Sequence, residues 1–336
     1  MTDILCTGLI LVVFAFFHHV LPAIRASEAK KKLPPPPVQT AAPVKQTPTP
    51  EPEPESPEEP EKELTEWQRR FAEHFSDEVT VTENSYTSPT SSVTIEKVVT
   101  GEGDETVTYF VADIYVADVQ YFRTWVANGK FEYFSTQDMM EMDAACDAIV
   151  SVNGDFYSYQ PTGFLVRNGE VYKRDMTYCD LCVLFDDGTV ECFARHTYDI
   201  DELLARGVWQ AWNFGPSLLD SEGHTKNSYE MPTAVSFINP RSALGYYEPG
   251  HYCFVLVDGR QQGYSKGMTM HELAEVFEGL GCTCAYNLDG GGSAVMTFQH
   301  EKYSRQSNSG DRELGDILLI TDTIPDENVS FLQEVQ

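Results

Sequence analysis

Cationic residues are scarce in this chain: 23 Lys and Arg stand against 52 Asp and Glu in 336 residues, a formal net charge of −29. A phosphate backbone is held by Lys and Arg, so the balance excludes nucleic acid as a partner. The deficit is not confined to a tail, since residues 65–336 alone carry 43 acids against 17 bases. Glycine is missing between Gly8 and Gly101, and 11 of the 19 prolines fall in residues 34–60. Such a stretch cannot bury a core. Residues 26–64 are therefore predicted to be a disordered Pro/Glu-rich stalk, in which residues 34–60 have a polyproline-like reach on the order of 80 Å. Long apolar runs are lacking too, and the mean hydropathy of −0.31 excludes a polytopic membrane protein. The exception is Ile4–Ile24, whose roughly 21 residues just span a hydrocarbon core. Residues 1–25 are expected to be a membrane anchor or uncleaved signal.

Zinc-type cysteine spacing is also absent. Cys179-x-x-Cys182 has no second Cys-x-x-Cys or paired-histidine motif to complete it, and neither a metal nor a cofactor is expected. Seven cysteines lie beyond the apolar run, an odd number. Cys282 and Cys284 are predicted to share one strand face as buried thiols.

Periodicity then assigns the elements. A short helix is predicted around Glu66–Phe75, with strands at Val93–Val99 and Thr106–Asp118. A helix capped by Ser135 follows at Ser135–Ala145, then a buried strand at Ala148–Val152. Asn168-Gly169 and Asp187-Gly188 each close a hairpin. Asp201–Arg206 reads as a helix, and Val208–Asn213, Thr233–Ile238 and His251–Val257 as strands. Thr269 and Glu272 form a capping box for a helix with Leu273, Val276, Phe277 and Leu280 on one face and Gly281 as its stop. Strands at Thr283–Leu288, Ala294–Phe298 and Asp316–Ile320 complete the chain. The fold class is α+β (mixed α/β): a strand-rich single catalytic domain with a few packed helices. Residues 65–104 form a lead-in, 105–322 the domain and 323–336 a tail.

Three apolar strands end in Asx-Gly: at Asn153-Gly154, Asp258-Gly259 and Asp289-Gly290. Sites assemble in such loops, although Asx-Gly is equally a common turn. Three successive glycines, Gly290, Gly291 and Gly292, exceed what a turn requires, and fit a backbone that must approach an anion closely. Arg241 follows Asn239-Pro240 at a strand end, Arg260 follows Asp258-Gly259 and Arg312 precedes the last strand. An arginine there offers phosphate a planar fork, or forms a surface ion pair.

The blocks NGDFY (153–157), NFGPSLL (213–219), NPRSALGY (239–246), VDGRQQGYSKGMTMHELAEVFEGLGC (257–282), NLDGGGSAVM (287–296) and DRELGDILLI (311–320) occur in this order. With them, residues 105–321 resemble the phosphodiester glycosidase family. The resemblance implies a hydrolase that cleaves a sugar-1-phosphodiester at the anomeric carbon, acting on a phosphodiester-linked glycan or cell-envelope polymer. A phosphomonoester is already a good leaving group, so holding the phosphate and stabilising an oxocarbenium-like centre are the main demands. On this reading Arg241 and the Gly290–Ser293 backbone hold phosphate, with Arg312 as a further candidate. Asp289 and Asp258 are candidate nucleophiles or bases. Asn153 and Asp155 bind or polarise the sugar, with Asp155 in the catalytic set, and Arg260 joins the substrate-binding set. The alternative is a cell-surface glycan-binding or scaffolding module without turnover. Arg25, Lys30, Lys31 and Lys32 follow the apolar run, which favours a cytoplasmic domain. The stalk and the exported habit of the family favour an extracytoplasmic one, and that placement is the expectation.

Overall fold

The computed structural model describes residues 64–307 and 312–324. The anchor and most of the stalk lie outside the described residues, and no described helix is long and apolar enough to cross a membrane. Three antiparallel sheets make the domain. The first runs in the order Thr80–Val81, Ser85–Thr87, Ser91–Thr100, Val107–Val116, His251–Val257, Arg241–Glu248 and Cys284–Asn287. The second holds Val190–Phe193, Leu181–Phe185, Val208–Asn213, Phe164–Arg167 and Glu170–Arg174, and the third Glu301–Lys302, Met296–Phe298, Val150–Asn153, Asp316–Ile320 and Phe122–Val126.

Each sheet turns one face to a shared core and the other to a helix, which is why its central strands, such as Leu181–Phe185, His251–Val257 and Asp316–Ile320, read as nearly continuous apolar runs. In Leu181–Phe185, Cys182 and Leu184 enter the shared core, while Leu181, Val183 and Phe185 pack towards the helix Ile200–Ala205. The helix Met270–Leu280 covers the first sheet through Leu273, Ala274 and Phe277, and Met139–Ala145 covers the third through Met139 and Met142. Phe122 stands at the centre. Its ring lies 5.9 Å from that of Trp212 in the second sheet, and 5.3 and 5.5 Å from Tyr252 and Phe254 in the first. The segment read as a lead-in belongs to the first sheet, because Ser91–Thr100 pairs along its length with Val107–Val116.

The capping box on Thr269 and the left-handed Gly281 stop are present as read. Elsewhere the elements differ from expectation. Asp138, not Ser135, caps the helix, which begins at Met139, because its carboxylate accepts from Met140 N. Thr233–Ser236 is a short exposed helical turn rather than part of a strand, since Arg241 ties down the Val235 and Phe237 carbonyls that a strand would offer to a neighbour. The strand Arg241–Glu248, buried on both faces over most of its length, has no alternating pattern to betray it. His251–Val257 and Cys284–Asn287 run in the same direction, joined by the helix Met270–Leu280, with Arg241–Glu248 inserted antiparallel between them. Cys282 and Cys284 reach opposite sides of that sheet, because Cys282 still belongs to the turn leaving the helix and strand alternation starts only at Cys284. All seven cysteines of the described residues are free thiols.

Candidate functional site

One end of all three sheets converges on a cleft. Asn153 closes a strand of the third sheet and Asp316 opens the neighbouring one. Arg167 closes a strand of the second, and Asp289 lies just beyond the last strand of the first. Arg167 joins the second sheet to the third. Its buried guanidinium donates from Nη2 to Asp155 Oδ1 at 2.9 Å and to Asp316 Oδ2 at 2.8 Å, and from Nε to the same Asp316 oxygen at 3.0 Å. Asp155 Oδ2 accepts Asn213 N at 2.7 Å and Oδ1 also accepts Tyr157 N at 3.1 Å, so both oxygens of Asp155 are engaged by the chain. The sequence places Asp155 in the catalytic set; the structure makes it an anchor for Arg167 and the 153–157 turn.

Asp316 Oδ1, by contrast, is buried without a hydrogen-bond partner. Gly154 leaves it room: a Cβ there would stand 2.1 Å from that oxygen. Two carboxylates share one guanidinium, and burial raises the Asp316 carboxyl above the usual carboxylate range even though Arg167 opposes the shift.

Asp289 sits across from this cluster. Asn153 Nδ2 donates to its backbone carbonyl at 2.6 Å, joining the first and third Asx-Gly loops. Its carboxylate accepts Gly290 N at 2.9 Å, and burial raises its affinity for a proton, with Ser293 and Arg312 opposing. The glycine run has a spatial cause. A Cβ on Gly290 would meet Pro240 O at 2.7 Å, and Gly291 has φ +63° and lies 3.1 Å, by its would-be Cβ, from the Arg260 guanidinium. Gly292 lies likewise 3.2 Å from that of Arg312. The glycines thus let two guanidinium groups lie on the backbone. The N–H groups of Gly290, Gly291 and Ser293 are engaged within the chain, by Asp289 Oδ1, Pro240 O and Gly290 O. Cation placement, more than a backbone nest, accounts for the motif.

Arg312 donates to Ser293 Oγ at 3.3 Å, and Arg260, itself at φ +57°, to Asn239 Oδ1 at 2.5 Å. Arg241 is buried and donates from Nε to Met268 O and from Nη2 to the Val235 and Phe237 carbonyls. Burial beside Arg260 lowers its pKa to about 10. Asp258 is not part of the cleft lining. Both its oxygens accept Arg305 N at 3.0 Å and Oδ2 accepts Tyr264 OH at 2.8 Å, while burial pushes it up to about 6. Its Asx-Gly segment closes a loop instead: a Cβ on Gly259 would meet Gly267 and Pro240 backbone at 2.8 Å.

Two cavities meet at Asp289 and Arg312. One, of about 360 Å³, is lined by Asn153, Asp155, Asp289, Ser293 and Asp316. The other, of about 160 Å³, is lined by Arg241, Arg260 and the three glycines. One side is therefore rich in carboxylates and the other in guanidinium groups. Among the described residues, no three His, Cys, Asp or Glu side chains are grouped as metal ligands. Sequence reading missed Arg167, Asp316 and Asn213. A basic residue ending the apolar strand FLVR, in a chain so poor in cations, and an acid opening the buried run DILLI were the available signals.

The family model for phosphodiester glycosidases matches residues 147–321. A curated relative, the SPbeta prophage-derived uncharacterized protein YomE of Bacillus subtilis (strain 168), is 28% identical over 213 residues. That match covers 60% of this chain and 32% of the relative, so the chain spans about a third of that protein's length. Among solved structures, the zebrafish N-acetylglucosamine-1-phosphodiester α-N-acetylglucosaminidase catalytic domain, auto-inhibited by its pro-peptide, superposes with a TM-score of 0.57 at 19% identity. The superposition covers 73% of this chain and 88% of that one, a likeness of fold.

Proposed function

The chain belongs to the phosphodiester glycosidase family, and from that premise we propose that it hydrolyses a sugar-1-phosphodiester at the anomeric carbon, releasing the sugar and a phosphomonoester. The observation that carries the reading is the position of Asp289 between a carboxylate-lined and an arginine-lined cavity. Positive charge develops on the sugar and negative charge on the departing phosphate, and the two sides of the cleft match that polarity. Arg260 and Arg312 bind the phosphate, with Arg241 holding the wall behind them. Asp289 acts on the anomeric carbon, directly or through a water. Asn153 aligns Asp289, and Asp316 faces the sugar. The substrate is of the type carried by phosphodiester-linked glycans and cell-envelope polymers, met outside the cytoplasm.

Hydrolysis in isotopically labelled water tests this: cleavage at carbon–oxygen puts the label in the sugar. Label in the phosphate would mean attack at phosphorus and a different reaction class.

A further inference from the structure

A third cavity, of about 780 Å³, adjoins the cleft. It shares Phe156 with the carboxylate side and Phe214 and Val235 with the arginine side, and extends from there along Pro161, Met231 and Pro232. A group attached to the far oxygen of a phosphate held by Arg260 and Arg312 has this cavity as its continuation.

Phe156, Pro161, Phe214, Met231, Pro232 and Val235 are apolar walls of this cavity, and several of the polar side chains between them are engaged with one another or with the backbone. Gln160 Nε2 donates to Asn213 O at 2.8 Å and Tyr229 OH to Leu218 O at 3.2 Å. The Thr177 hydroxyl pairs with Cys179 Sγ at 2.9 Å and accepts Cys179 N. Arg195 and Glu230 form an ion pair at 2.5 Å. A polyol entering here would lay hydroxyls against those apolar walls, at a cost for each hydroxyl left unpaired. An apolar group meets no such cost and gains from burial against the ring faces and Met231.

We propose that this cavity receives the aglycone, and that the aglycone is apolar: an alkyl, aryl or prenyl group esterified to the phosphate that leaves. The proposal rests on the sugar-1-phosphodiesterase reading and departs from it in the aglycone, a glycan or polymer there and an apolar group here. Glycan aglycones are the competing occupant, and the apolar walls stand against them.

The test compares methyl, octyl and glycosyl esters of N-acetylglucosamine 1-phosphate on the full chain. The octyl ester should exceed the methyl ester in kcat/KM by about tenfold or more, the gain of burying several methylenes. Met231→Asp should bring that ratio towards one and leave the methyl ester unaffected, and Tyr178→Ser, at a residue 77% exposed, repeats the comparison should the first variant fold poorly. If the methyl ester is cleaved and the octyl ester is no better, or the glycosyl ester is best, the apolar assignment is overturned and the reaction stands. If no ester is cleaved, the reaction reading fails, and calorimetry with octyl and methyl phosphate decides the cavity separately. Tighter octyl binding, lost in Met231→Asp, supports the assignment; equal binding overturns it.

Discussion

Asp289 and Asp258 have the same local sequence, an acid before glycine at a strand end, and opposite surroundings. Asp289 borders both cavities, whereas Asp258 is enclosed by Tyr264 and the Arg305 N–H. Asp289→Asn should therefore reduce kcat by about a hundredfold or more, the range for removing a catalytic carboxylate, with an unchanged melting curve as the control. Asp258 acts on stability instead. Its folded pKa of about 6 exceeds the unfolded value of about 3.9, so the native state holds the proton more tightly. The stabilisation this group supplies is complete below about pH 4 and is lost as the pH rises through 6, a change on the order of 2–3 kcal/mol. Asp258→Asn cannot titrate, so its urea stability should fall less between pH 4.5 and 7.5 than that of the parent. An equal fall in both proteins would place the titration elsewhere.

At the scale of the loop, two neighbouring glycines both face a guanidinium and differ in backbone conformation. Gly291 has φ +63°, whereas Gly292 does not have a positive φ. Gly291→Ala should cost about 1–2 kcal/mol in stability from the left-handed conformation, and some activity as well, since its Cβ would stand 3.1 Å from the Arg260 guanidinium. Gly292→Ala should leave the melting temperature nearly unchanged, yet its Cβ meets the Arg312 guanidinium at 3.2 Å and must displace it. A loss of kcat/KM of about tenfold to a hundredfold is expected. Side-by-side calorimetry and kinetics of the two variants check this, and a stable, fully active Gly292→Ala would remove Arg312 from the phosphate site.

Over the whole molecule, Arg167 joins the second sheet to the third through Asp316 and pins the 153–157 turn through Asp155. Arg167→Met would leave two buried carboxylates without their cation, at a cost of about 3–5 kcal/mol. Because burial holds the Asp316 carboxyl up at about 8 even beside Arg167, it ionises in the parent only above that pH, and the loss should be smaller at pH 6 than at pH 9.5. Guanidinium denaturation at both values measures it; a loss independent of pH would show that Arg167 matters for packing alone.

Local chemistry in the sequence determined the elements whose cause lies within a few residues: the Thr269 capping box, the Asn168-Gly169 and Asp187-Gly188 hairpins, and the buried strands around 150, 210 and 255. It also singled out Asn153 and Asp289, since strand-end Asx-Gly pairs and a glycine run are visible without coordinates. Tertiary structure alone decided which Asx-Gly loop enters the cleft, that 233–236 coils while 241–248 pairs, and that Arg167 faces Asp316 149 residues away. Capping and turn signals act along the chain over a turn or two. The partners of a buried charge are chosen across sheets, by which strand ends the packing of a shared core brings within hydrogen-bond reach.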